Sequence, residues 1–238
     1  MNRLQREFDR LFGAPDASTD SIGLINSDSW VKTLVITFAR SRDWPTVAGL
    51  ISSLQETLGL PLPAVAVDGK AGFQLWLPLV EPVTLETSAS FLAALRRQYL
   101  GNIADNDLAL LPQAGGPGSV RCIPALSAEN DRWSAFIDPT MGGMFTDEGG
   151  LDFEPNPDRQ ADQLAGISPI EPTDFAAALA VLTACEATTP ALEDSASVTV
   201  IGRFSEPRDF LLAVMNEPSA PLALRIEAAK ALLSHGRS

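Results

Sequence analysis

Few side chains in this chain are equipped for acid–base or nucleophilic chemistry. His235 is the only histidine of the 238 residues and lies close to the C-terminus. A histidine triad, a His-ligated zinc site or a histidine general base therefore has almost no material. Cys122 and Cys185 show no metal-ligand spacing and stand far from His235 in sequence, which disfavours a Cys–His nucleophile. They read as two reduced, buried thiols, with a disulfide between them as the alternative. Asp152-x-Glu154-x-Asn156-x-Asp158 has the alternating oxygen donors of a calcium loop. Pro157 takes the place of its sharp-turn glycine, and Gln163 that of its closing glutamate. The loop GGPGS at 115–119 lacks the Gly-Lys-Ser/Thr ending of a phosphate-binding loop. With no paired acid and base, no catalytic residue, metal ligand or cofactor is expected. A small-molecule enzyme using Asp138 or Asp152 ranks last.

The polar residues that could bind a ligand are Asp68, Lys70, Gln74 and Arg121. Asp68 and Lys70 could clamp a phosphate or another ligand at a tight turn. The plainer reading is the Asp-Gly pair of a hairpin. Gln74 follows Phe73 in a strand, either contacting a base or phosphate on an open sheet face or serving as an ordinary strand residue. Arg121 either lines the same face or forms a surface ion pair. Trp44, Trp76 and Trp133 could stack on bases, although aromatic residues at such positions more often fill a core.

Charge constrains these readings. The formal net charge is −13, and the segment 138–162 alone contributes −6, its seven acids opposed only by Arg159. Phosphate backbones are bound mainly by Lys and Arg, so broad nonspecific nucleic-acid binding is disfavoured. A local basic groove would draw on Lys32, Arg40, Arg42, Lys70, Arg96, Arg97 and Arg121. The acidic segment itself reads as a solvated loop, a docking surface or a nucleic-acid mimic.

Apolar periodicity supplies the elements that must position these residues. The N-terminus, MNRLQREFDRLFG, reads as a short amphipathic helix with Leu4, Phe8, Leu11 and Phe12 on one side rather than as a secretory signal. A polar connection over 14–29 leads to a strand at 30–39 and a helix at 44–58. Two short strands, 64–67 and 73–79, flank the turn 68–72, and a helix covers 88–100. Strands near 107–111, 120–124 and 133–137 extend the sheet. The order suggests an RRM-like α+β sheet with helices on one face. The Gly-, Pro- and acid-rich stretch 138–172 reads as a loop-dominated excursion. A helix at 175–185, a short strand at 199–204 and two helices within 207–234 complete the chain. The expected division is an α+β domain at 1–172 and a helical appendage at 173–238. No apolar run approaches the roughly 20 residues that span a bilayer, so a cytoplasmic protein is expected.

Residues 30–140 resemble an archaeo-eukaryotic primase-polymerase domain. The resemblance rests on the strand LVITFA at 34–39 and the hairpin LPAVAVDGKAGFQLWLPLVEPV at 62–83. It implies a nucleotide site in which an Asp-x-Asp strand and a third acid hold two divalent ions, and a histidine after a glycine-rich turn contacts phosphate. Here Ile36, Thr37 and Phe38 stand where the aspartates belong, and Gln74 stands where the histidine would be. Asp138 would be the surviving third acid, with Arg121–Pro124 near the segment beside it. The resemblance thus implies a degenerate site without polymerase activity. A second resemblance covers PRDFLLAVMNEPSAPLALRIEAAKALLSH, which looks like a helix pair of phage small-terminase-like proteins. Pro207, Leu211, Met215, Pro218, Arg225, Ala228, Ala229, Lys230 and His235 match that pattern, implying a phage or mobile-element context. The resulting expectation is a non-catalytic protein that binds single-stranded nucleic acid, a nucleotide or a replication-related protein. The rival is an acidic protein-interaction module without nucleic-acid binding. Oligomeric state is left open.

Overall fold

A computed structural model describes residues 2–14, 20–113, 115–116, 118–147 and 149–188, together with Leu211 and Leu212. The strand expected at 199–204 and, apart from those two leucines, the helix pair within 207–234 lie outside the described residues. The compact unit described below runs over Met1–Thr188.

The strands are β1 (Ser21–Gly23), β2 (Trp30–Phe38), β3 (Ala64–Val67), β4 (Phe73–Thr84), β5 (Leu108–Leu111), β6 (Ser119–Arg121) and β7 (Ala135–Ile137). The helices are α1 (Arg3–Phe12), α2 (Trp44–Glu56), α3 (Leu85–Tyr99), α4 (Pro157–Ala165) and α5 (Pro172–Thr188). Five strands form one sheet in the order β5-β2-β4-β3-β7, every neighbouring pair antiparallel. The protein is therefore α+β. The segment 120–124 was expected to widen this sheet. Its strand β6 instead pairs with β1 in a separate two-stranded sheet, Ser21 opposite Arg121.

Alternation along the strands sorts side chains to two faces. Leu34, Ile36 and Phe38 of β2, Val65 and Val67 of β3, and Phe73, Leu75 and Leu77 of β4 meet α2, α3 and α5. From the helices come Val47, Leu50 and Leu54, then Phe91 and Leu95, then Phe175 and Ala178. The rings of Phe91 and Phe175 lie 4.7 Å apart, which seats α5 in this core. The alternate residues Val35, Ala64, Ala66, Trp76 and Phe136 pack with Phe8, Leu11 and Phe12 of α1 and Leu164 of α4. Helices therefore cover both faces, correcting the expectation of helices on one. The aromatic set Phe8, Phe12, Trp76 and Phe136 has centroids 4.9–6.5 Å apart. Its burial supplies the apolar area that fixes α1 on the sheet.

The stretch 138–172 is more ordered than its composition suggests. A 3-10 helix, Pro139–Phe145, opens it and α4 follows. Asn156 caps α4 by accepting from the N–H groups of Asp158 and Arg159, and Pro157 takes the first helical position. Buried Gln160 then meets the outer edge of β7. Its Oε1 accepts from the N–H of Phe136 at 2.7 Å, and its Nε2 donates to the Phe136 carbonyl at 3.0 Å. The backbone groups of Phe136 left over from pairing with β3 thus find an amide partner.

Pro78 sits within β4, where a missing N–H would ordinarily break a ladder. Pairing with β3 has already ended at Ala64 opposite Trp76. Beyond it Ile170 takes over that side, its N–H donating to the Pro78 carbonyl and its carbonyl accepting from Val80.

Candidate functional site

The turn between β3 and β4 is closed by its own first residue. Asp68 Oδ1 accepts from the N–H of Lys70 at 2.7 Å and of Gly72 at 2.9 Å. Those are the groups that would cradle a phosphate in a glycine-rich turn, and a carboxylate already occupies them. A Cβ at Gly72 would lie 1.9 Å from the Phe38 carbonyl oxygen, so this glycine is required by close backbone approach. Lys70 forms an ion pair with Glu129, and its backbone bridges to Gly149.

Gln74 points to the second face, between Thr37 and Ala66 in the ladder. It is half-buried, and its Oε1 accepts from the Trp76 indole N–H at 3.0 Å. Trp76 itself has no exposed surface, so Gln74 satisfies a buried donor that would otherwise lack a partner. Arg121 is exposed on β6, in the other sheet. The four residues therefore divide into a turn clamp, a core-supporting amide and a surface cation on a separate sheet.

Two of the other candidate cations form ion pairs. Arg40 pairs with Asp107 at 2.7 Å and Arg96 with Asp105 at 2.9 Å. Among the described residues, no group of three or more His, Cys, Asp or Glu side chains could hold a metal ion. In the stretch that suggested a calcium loop, Asp152 pairs with Arg132 and Asn156 serves as the α4 cap. Asp138 caps the 3-10 helix, accepting from the Thr140 hydroxyl at 2.6 Å and the Thr140 N–H at 2.8 Å. Those bonds, the hydroxyl first, hold its carboxyl below the usual range.

Cys122 is half-buried rather than buried, and it is a free thiol. Burial, reinforced by Asp20 and Asp9, pushes its pKa up to about 11. A thiol so shifted is protonated at neutral pH and is a poor nucleophile.

The 3-10 helix contains the side chains that sequence reasoning did not single out. With three residues per turn, positions three apart share a face. Pro139, Gly142 and Phe145 form one such row. Gly142 is buried against Trp44, where a Cβ would fall 2.1 Å from the indole, and Phe145 packs on the core. Met141 and Met144 form another row, which projects outward with exposures of 44% and 75%. Phe153, farther along the same acidic stretch, is 83% exposed. The signal was present as PTMGGMF, apolar at every position but Thr140 and yet placed in an acidic loop.

A groove of about 160 Å³ opens where α4 meets β7, lined by Leu62, Pro63, Phe136, Asp138, Asp162 and Ile167 among others. Asp162 at its rim is already paired with Arg3 at 2.7 Å. No helix among the described residues is long and apolar enough to cross a membrane. No family model matches the chain, and no curated protein matches it.

Proposed function

We propose that this chain is a non-catalytic protein-interaction module that docks a basic amphipathic segment of a partner protein. The carrying observation is the outward row of Met141 and Met144, with exposed Phe153, set in a segment of charge −6. Large apolar side chains at such exposure gain from burial against a partner, and aromatic residues and methionine are enriched in interfaces. Asp152 and Asp162 are paired with Arg132 and Arg3, but acids still outnumber bases in the segment, which favours a cationic partner and speeds its approach. Reading the frame as an RRM-like sheet is supported by the element order β2-α2-β3-β4-α3-β5 and the spatial order β5-β2-β4-β3, which match a split β-α-β arrangement.

That strand order also favours a second reading, a degenerate primase-polymerase fold that retains nucleic-acid or nucleotide binding. The placement of Asp68, Lys70 and Gln74 speaks against it, since each already has an internal partner. So does the cover that α1 and α4 form over the second sheet face.

One titration separates the two. A fluorescein-labelled amphipathic Lys/Leu helical peptide and a labelled single-stranded DNA are each titrated by anisotropy at low and moderate salt. Docking predicts peptide binding that weakens with salt and falls in Met144→Ser and Phe153→Ser. No peptide binding, with salt-sensitive DNA binding weakened by Arg121→Ala, would overturn it in favour of the second reading.

A further inference from the structure

Resting on the docking reading, we infer that Met141 and Met144 are a paired oxidation site whose sulfoxides switch the docking surface off. Both sulfurs belong to the outward row of the 3-10 helix, and Met144 is three-quarters exposed. The row is held outward by its neighbour, because Gly142 leaves no room for rotation of the turn against Trp44. The Trp44 ring packs in turn on Phe73 at 4.8 Å. Peroxide therefore reaches the thioethers without any opening of the fold.

The chemistry is oxygen transfer from hydrogen peroxide. The thioether sulfur attacks the peroxide, the O–O bond breaks, and an S–O bond forms. Sulfur is oxidised by two electrons, and the peroxide's second oxygen leaves as water. Each event turns an apolar, polarisable side-chain tip into a polar one. Two such changes on one row remove most of the apolar contact that the 3-10 helix offers a partner. The carboxylates that attract the partner are untouched.

The full chain is treated with hydrogen peroxide, mapped by peptide mass spectrometry and titrated with the labelled Lys/Leu peptide. Met144 and Met141 should each gain one oxygen, with Met144 converting first. Peptide affinity should fall about tenfold or more and return after treatment with methionine sulfoxide reductases. In M141L/M144L the affinity, whatever its value, should be the same before and after peroxide. Near-ultraviolet circular dichroism should not change, because neither sulfur supports the core. Unchanged affinity with both sulfoxides formed overturns the switch alone. Peroxide sensitivity that survives in M141L/M144L also overturns it, assigning the effect to another residue. Failure of the untreated protein to bind the peptide overturns the docking reading and the switch together.

Discussion

Several residues that sequence reasoning would send to a ligand are occupied within the fold, and their removal should register as lost stability. Asp68→Ala leaves the N–H groups of Lys70 and Gly72 without their carboxylate. The loss should be about 1–3 kcal/mol, read from urea unfolding midpoints, with Asp68→Asn losing less. Gln74→Leu strands the indole N–H of Trp76. A similar destabilisation is expected, with a shifted tryptophan emission in the folded state. Cys122 gives a pH prediction. Its folded pKa of about 11 exceeds the ordinary thiol value, so the unfolded chain releases the proton first as pH rises. Its contribution to stability is complete below the unfolded pKa and is lost between that value and about 11. Correspondingly, iodoacetamide alkylation of Cys122 in the folded chain should be slow at pH 8 and accelerate toward a midpoint near 11. Peptide mapping separates it from Cys185.

Elements differ in how much of them could be read from sequence. The hairpin of β3 and β4, the helix α2 and the stripe of α1 follow from apolar spacing alone, because each buries a regular set of side chains. The two-sided cover of the sheet was misread as one-sided, although its signal was present. AVAV in β3 and FQLWLPL in β4 are almost continuous apolar runs, the pattern of strands buried on both faces rather than one. What spacing cannot supply is the partner: Phe8, Leu11 and Phe12 announce an apolar stripe without saying which surface receives it. Helix α4 was missed because PDRQADQLA offers only Ala161 and Leu164 as buried apolar residues. Its third inward residue is Gln160, which sequence alone would place in solvent. Asn156-Pro157 was the available start signal. Gln160→Ala should cost about 3 kcal/mol in thermal or urea unfolding, since it exposes two backbone groups of β7 to an apolar surround. Among the site residues, Asp68 was recognisable as a turn former. The methionine row was not, because its direction depends on Gly142 meeting Trp44 far away in sequence.

Across the whole molecule, charge and topology set the terms on which partners and folding proceed. With a net charge of −13, encounter with a cationic peptide should be steered over about one Debye length, roughly 8 Å at physiological salt. Raising ionic strength should therefore slow association more than it speeds dissociation, measurable by stopped-flow anisotropy. The seating of α1 has a consequence for synthesis. Arg10 donates to the Leu164 carbonyl, and Phe8 and Phe12 wait for Trp76 and Phe136. On the ribosome α1 emerges long before Trp76, Phe136 and Leu164, the distant part of the surface that will receive it. Throughout that interval Phe8, Leu11 and Phe12 form a greasy stripe on the nascent chain that is only partly covered. α1 can settle on its complete seat only once Leu164 has been made, 154 residues after Arg10.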